Sequence, residues 1–98
     1  MIDWRRIVGF QWDDGNARKS VEKHFVSQTE AEQIFLNEPL LNVLDQTHSQ
    51  SEKRLHALGN TDEGRLLHVT FTLRKEDTCI RVISARDMSR KERSHYEQ

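Results

Sequence analysis

The sequence has one cysteine, one proline and no long apolar run. Cys79 has no partner for a disulfide within the chain, and we expect it to be a small buried residue of a strand, not a catalytic thiol. No stretch has the length of a membrane span or the pattern of a signal peptide. We therefore expect a cytoplasmic protein that does not act at a membrane.

Motifs for several common chemistries are also missing. The four glycines are scattered, so neither a P-loop nor a dinucleotide-binding pattern is present. No serine stands in a nucleophile-elbow pattern, although this leaves a Ser/His/Asp triad open. The histidines lack the closely paired ligands typical of zinc sites. We predict neither a metal nor an organic cofactor. The five histidines are His24, His48, His56, His68 and His95.

Charge is unevenly distributed along the 98 residues, although the net charge is only -1. Residues 26–52 contain five acidic side chains and no Lys or Arg, whereas residues 65–98 contain eight basic and five acidic side chains. A polyanion would be attracted to the second region and repelled by the first. A solvated surface with uneven charge would give the same composition.

Apolar spacing and turn signals predict one domain over residues 1–98, in the order β-α-α-β-β-β-β-α after a loosely held lead of residues 1–6. Because short connections favour hairpins, we expect an α+β fold with two N-terminal helices, an antiparallel sheet of about four strands and a C-terminal helix. The predicted strands cover residues 7–12, 40–44, 54–58, 66–73 and 79–85, with a polar loop at 46–50.

Two helix starts are marked by capping boxes. In Ser27-Gln28-Thr29-Glu30 and in Ser89-Arg90-Lys91-Glu92, the serine hydroxyl can accept from the glutamate amide while the carboxylate accepts from the serine amide. Pro39 ends the second helix, since it disfavours helical geometry at the residue before it. Tyr96 lies one turn beyond Glu92, and we expect it to pack on the sheet.

Arginines on the predicted strands are the most informative side chains. A guanidinium stays charged, and its forked donors match a phosphate. Strict alternation would put Arg81 on the face opposite Arg86, and both faces would mix apolar with basic residues, so the period does not decide which arginine meets a substrate. Arg54 shares a face with His56, which would pair a phosphate clamp with a proton shuttle. A solvent-facing charged strand would show the same pattern.

Taken together, the motifs resemble the BrnT toxin family. They occur in order over about residues 10–97, and one departure stands out, since Phe25 occupies a position where the family commonly has Gly. The motifs are Trp12-Asp13, Lys23-His24-x-Val26-Ser27, Arg54-Leu-His-Ala57-Leu58-Gly59, Gly64-Arg65-Leu66-Leu67, Phe71-Thr72-Leu-Arg74, Ile80-Arg81-Val-Ile83-Ser84-Ala85-Arg86 and Glu92-Arg93-x-x-Tyr96-Glu97.

The resemblance implies a RelE-like fold and a ribonuclease toxin of a type II toxin–antitoxin system that arrests growth. It also implies neutralisation by a BrnA-type antitoxin, which carries the DNA-binding part, so the toxin meets DNA only indirectly. A toxin homodimer within a toxin–antitoxin heterotetramer is expected.

The implied chemistry needs no metal or cofactor, because RNA supplies its own 2′-hydroxyl nucleophile. Fixed guanidinium groups would stabilise the charge that builds on the phosphoryl oxygens, and a general acid and base would move protons. Arg86 and Arg54 are the expected phosphate clamps, and His24 and His56 are the candidates for proton transfer, although His24 would equally cap the first helix. The expected further phosphate-binding residues are Arg65, Arg81 and Arg74.

Two alternatives stay open from the sequence. A catalytically silent RNA- or ribosome-binding module would use the same basic surface for phosphate contacts, although few aromatic residues stand ready to stack on bases. A protein-interaction domain would instead use the acidic and basic halves to dock a partner.

Overall fold

The computed structural model describes residues 2–45 and 53–98, so the predicted loop at 46–50 and His48 lie outside the described residues. Within them the predicted order of strands and helices is confirmed, with two short 3-10 turns added. The helices are α1 (Asp14–His24), α2 (Gln28–Gln33) and α3 (Arg90–Tyr96), and the turns are Trp4–Arg6 and Ile34–Leu36. The strands are β1 (Gly9–Trp12), β2 (Leu41–Asp45), β3 (Arg54–Asn60), β4 (Leu66–Arg74) and β5 (Cys79–Asp87).

These five strands form one mixed sheet in the order β1-β5-β4-β3-β2. Strands β2 to β5 are an antiparallel meander, as their short connections predict. β1 is the correction to the expected sheet of about four antiparallel strands, since it joins β5 in parallel, with Gly9 opposite Cys79 and Trp12 opposite Val82. A parallel pair needs a long crossover, which α1, α2 and the meander provide.

A bulge in β5 changes which side chains share a face. Thr70 is opposite Ser84 and Phe71 is opposite Val82, so Ile83 is an extra residue on β5. An extra residue shifts the two-residue alternation by one position. The expectation that Arg81 and Arg86 lie on opposite faces is therefore wrong.

The core lies between the sheet and the helices α1 and α2. Phe71 at the centre of β4 is fully buried, and the ring of Phe35 meets its ring edge-on at 5.1 Å. Trp4 lies 6.0 Å from Phe35 and 6.4 Å from Phe71 between ring centroids. Trp4, which lies in the lead predicted to be loosely held, therefore packs against the core through this aromatic contact. The other buried core residues are Val26, Ala31, Ile34, Ala57, Leu67, Val69, Ile80, Val82 and Ala85.

Helix α3 packs against the opposite side of the sheet, at the ends of β3, β4 and β5. Tyr96 is buried, as predicted; its hydroxyl donates to the Pro39 carbonyl at 2.6 Å and accepts from Asn60 Nδ2 at 2.8 Å. Both helices that begin with a predicted capping box have it. Cys79 is buried in β5, also as expected. Among the described residues, no helix combines the length and apolar character needed to cross a membrane.

Candidate functional site

The side of the sheet that faces away from α1 and α2 is rich in basic and hydroxyl side chains, and we call it the polar face. Alternation along β3 and β4 and the bulge in β5 place these residues together. Five of the seven predicted site residues lie on it, whereas His24 and Arg65 do not. The polar face comprises Arg54, His56, His68, Thr70, Thr72, Arg74, Arg81, Ser84 and Arg86.

Two histidines on neighbouring strands lie near the middle of the polar face. The ring centroids of His56 and His68 are 4.9 Å apart, with the planes tilted by 38°. His56 Nδ1 is 2.9 Å from the hydroxyl of Thr70, its cross-strand neighbour. This hydrogen bond fixes the orientation of the His56 ring.

His68 is a site residue that the sequence analysis did not single out. Its side chain is 11% exposed, and its Nε2 lies 3.8 Å from Glu92 Oε2. Burial, together with the nearby positive charge of Arg86, lowers the pKa of His68 to about 4. The ring is therefore neutral near pH 7. His68 lies opposite Arg86 in the register of β4 and β5, and this register could not be read from the sequence alone.

Arg86 and Glu92 form a forked ion pair at the end of the polar face. Arg86 Nη1 donates to Glu92 Oε1 at 2.8 Å, and Nη2 donates to Oε2 at 3.0 Å. Nη1 also donates to the Asp87 carbonyl at 3.0 Å. The hydrogen bond from Arg86 is the main cause that lowers the pKa of Glu92 to about 2. Glu92 also accepts from the Ser89 amide of its capping box. The sequence predicted this capping role and placed Glu92 in a family motif, but it did not predict the ion pair with Arg86.

The other arginines of the polar face are spread across it. Arg81 Nη2 is 3.5 Å from Asp13 Oδ2, and Asp13 also caps α1. Arg54 is opposite Asp45 in the register of β2 and β3. Arg74 lies at the far end of β4, opposite Cys79. The face thus carries four arginines, a charge that favours contact with a polyanion.

Arg65 lies apart from the polar face, where it ties the connection between α1 and α2 to the ends of β4 and β5. Its Nε and Nη2 donate to the Asp87 carboxylate at 2.8 and 3.1 Å, and Nη1 donates to Glu30 at 3.0 Å. The remaining two donors bind the carbonyls of His24 and Phe25 at 3.1 and 2.8 Å. A guanidinium has five N–H donors, and all five are used. We name this group of residues the Arg65 junction.

The pKa values within the Arg65 junction follow from these contacts. The hydrogen bond to Asp87 is the largest cause that raises the pKa of Arg65, and the same bond lowers the pKa of Asp87. The Ser27 amide, followed by Arg65, lowers the pKa of Glu30. All three groups are therefore charged at neutral pH, and we assign Arg65 a structural role because phosphate contact would require breaking this network.

Phe25 ends α1 in the left-handed region, with a φ of 56°. Its amide donates to the Val21 carbonyl at 3.0 Å, and its side chain is 79% exposed. Glycine adopts this conformation without steric penalty. The geometry explains the glycine expected here from the resemblance.

Within residues 2–45 and 53–98, no three His, Cys, Asp or Glu side chains are grouped so that they could hold a metal ion.

Comparison with known proteins places this arrangement in a family. The fold is similar to that of the crystal structure of the Brucella abortus ribonuclease toxin, BrnT, with a TM-score of 0.62 and 21% identity over 85% of this chain and 99% of that chain. No curated protein matches the sequence. The family model described as the ribonuclease toxin BrnT of type II toxin–antitoxin systems matches residues 12–92, a range that runs from the last residue of β1 through β5 to Glu92. The chain therefore belongs to the BrnT family of ribonuclease toxins.

Proposed function

We propose that this chain is a metal-independent endoribonuclease toxin that cleaves RNA at the polar face. The observation that carries the proposal is the placement of Arg54 and Arg86 on the same face as His56, in a member of a ribonuclease-toxin family. Forked guanidinium donors can bind a phosphodiester, and an imidazole can transfer a proton near neutral pH. The face thus supplies both kinds of group that the reaction needs.

In the proposed reaction, the 2′-oxygen of a ribose attacks the adjacent phosphorus and the bond to the 5′-oxygen breaks. Arg86 and Arg54 stabilise the negative charge that builds on the non-bridging oxygens. The 2′-hydroxyl loses a proton and the leaving 5′-oxygen gains one. His56, whose ring is held by Thr70, transfers one of these protons, and solvent water transfers the other. The products are a 2′,3′-cyclic phosphate and a 5′-hydroxyl.

The remaining predicted residues take other positions in this proposal. Arg81 and Arg74 contact phosphates of flanking nucleotides, since they extend the basic surface along the sheet. His24 is left out of the reaction because its carbonyl is bound by Arg65 on the other side of the sheet. Arg65 is left out for the reason given above.

Membership of a type II toxin–antitoxin family implies an antitoxin partner. We propose that this partner is of the BrnA type, that it contacts DNA on the toxin's behalf, and that two toxin chains assemble in the complex. A cytoplasmic location, growth arrest and kinship with RelE ribonucleases belong to the same proposal.

Cleavage of a labelled RNA oligonucleotide by the purified chain in excess EDTA tests the reaction. We expect discrete products with 2′,3′-cyclic phosphate ends, seen by mass spectrometry. The same oligonucleotide with 2′-deoxyribose at the cleaved position should stay intact. RNA binding without cleavage would favour a silent binding module. Full cleavage by both Arg86→Ala and Arg54→Ala would show that the assigned site is wrong.

A further inference from the structure

The hydrogen bonds of Arg86 leave one edge of its guanidinium accessible to a ligand. Nη1 uses both of its N–H groups, on Glu92 and on the Asp87 carbonyl, and Nη2 uses one on Glu92. No acceptor among the described residues takes the Nε–H or the second Nη2 N–H. These two donors point the same way from the planar group, so they form a second fork.

Such a fork matches two oxygens of a phosphate. The Arg86 side chain is 38% exposed, so a ligand can reach this edge. The adjacent Nη1–Nη2 edge is held by a carboxylate that is itself fixed, because Glu92 Oε1 accepts from the Ser89 amide at 2.9 Å. The guanidinium is thus held on one edge and available on the other.

We propose that Glu92 is a positioning residue, which holds Arg86 by one edge so that the Nε–Nη2 edge is presented to a phosphodiester. This inference deepens the proposed function and rests on it for the identity of the substrate. Glu92 does not touch the reacting atoms. Glu92 restricts the conformations of the Arg86 side chain before RNA binds, so that Arg86 loses little further conformational entropy on binding.

His68 supports this arrangement from the next strand. It is opposite Arg86 in the register, its ring is buried, and its Nε2 faces Glu92 Oε2 at 3.8 Å. A neutral ring at this position limits the movement of both partners without adding a charge that competes for the carboxylate. The contacts of Glu92 therefore come from three elements, β4, β5 and the start of α3.

Glu30 provides a matched control within the chain, because it also caps a helix start and also binds an arginine, in the Arg65 junction. Glu30 accepts from the Ser27 amide at 3.0 Å and from Arg65 at 3.0 Å. Glutamine serves at this capping-box position as well as glutamate does. Glu92→Gln and Glu30→Gln therefore remove the same charge from equivalent helix starts, and only one of them lies at the polar face.

Titration with inorganic phosphate, followed by the Nε–H signal of Arg86 in NMR spectra, tests the positioning directly. Assignment of the signal comes from its loss in Arg86→Lys. We expect the signal to shift with phosphate in the wild type and in Glu30→Gln, and phosphate affinity at Arg86 to fall about tenfold or more in Glu92→Gln. A Glu92→Gln protein that titrates like the wild type would overturn the inference.

Steady-state cleavage of RNA gives the second readout, corrected for the folded fraction measured by thermal unfolding. We expect kcat/KM to fall about tenfold to a hundredfold in Glu92→Gln and to stay within about twofold in Glu30→Gln. Equal losses in the two variants would make Glu92 merely structural. If phosphate binding at Arg86 depends on Glu92 but no RNA is cleaved, the positioning stands and the ribonuclease proposal fails.

Discussion

Arg65 and Arg86 are bound in similar ways, but they differ in the number of N–H donors that remain available to a ligand. Each binds the glutamate of a capping box; Arg65 directly precedes the first residue of β4, and Arg86 lies near the last residue of β5. Among the residues that the structure describes, Arg65 donates all five of its N–H groups to protein oxygens, whereas Arg86 donates three. We infer from this comparison that the number of unused N–H donors, and not the presence of an ion pair, separates a structural arginine from one that can bind a ligand.

The largest expected effect comes from removing Arg86. Arg86→Ala should lower kcat/KM for RNA by roughly 10²–10³-fold, the usual loss for a group that stabilises developing charge. Stability should change by about 1 kcal/mol or less, since the ion pair is partly exposed. Arg90→Ala, on the exposed side of α3, is the control and should cleave normally. Normal cleavage by Arg86→Ala would show that Arg86, like Arg65, has only a structural role.

Removing Arg65 should give the opposite result. Arg65→Ala leaves Asp87 and Glu30 without their shared partner and frees two carbonyls, so the free energy of unfolding should fall by about 2 kcal/mol in urea titrations. The remaining folded protein should cleave RNA within about twofold of the wild type. A loss of cleavage without a loss of stability would return Arg65 to the substrate-binding set.

The pH dependence of stability should distinguish the polar face from the Arg65 junction through His68. The folded protein binds a proton at His68 only near pH 4, while the unfolded chain binds it near 6.5. Between these values the unfolded state holds more protons, so stability falls as the pH falls, by at most about 3 kcal/mol. Below about pH 4.5, protonation of Glu92 adds a further loss, since its pKa is lowered on folding.

Urea unfolding of His68→Gln at pH 7 and at pH 4.5 checks this. The variant should lose less stability than the wild type between the two pH values, because the substituted side chain takes up no proton. His95→Gln, in α3, is the matched control. An unchanged pH dependence in His68→Gln would mean that the ring is not buried as described.

The smallest expected effect concerns the end of α1 within the Arg65 junction. Phe25→Gly should raise the free energy of unfolding by about 1 kcal/mol, because glycine adopts a positive φ without strain. Phe25→Ala tests whether the ring itself matters, since alanine removes the ring and keeps the strain. Thermal unfolding of the two variants is the measurement, and a destabilised Phe25→Gly would show that the exposed ring contributes to the fold.

Local signals predicted much of this fold. The two capping boxes and the strand-forming runs each depend on residues that are close in sequence. The predicted end of the second helix at Pro39 is wrong, since α2 ends at Gln33 and a 3-10 turn follows it. The parallel pairing of β1 with β5 depends on residues about 70 positions apart, and no local pattern distinguishes a parallel edge strand from an antiparallel one. The contact of Trp4 with Phe71 was missed for the same reason.

The sequence predicted which types of residue form the candidate site, but it did not predict how these residues are arranged. Arginines on strands pointed to phosphate, but a one-residue bulge at Ile83 decides that Arg81 and Arg86 share a face. Likewise, the motif containing Arg65 does not reveal that its donors are already occupied, because the acceptors come from three distant elements. The number of arginine N–H donors already in use can be counted only in the folded structure.

The pairing of β1 with β5 has a consequence for synthesis of the toxin. β1 lies at residues 9–12 and its partner begins at Cys79, so β1 cannot pair until about 70 further residues have been made. Arg86 and Glu92 come later still. The proposed phosphate-binding edge of Arg86 is therefore completed only after β1 to β5 have all been made, which separates the start of toxin synthesis from the first opportunity of this site to act.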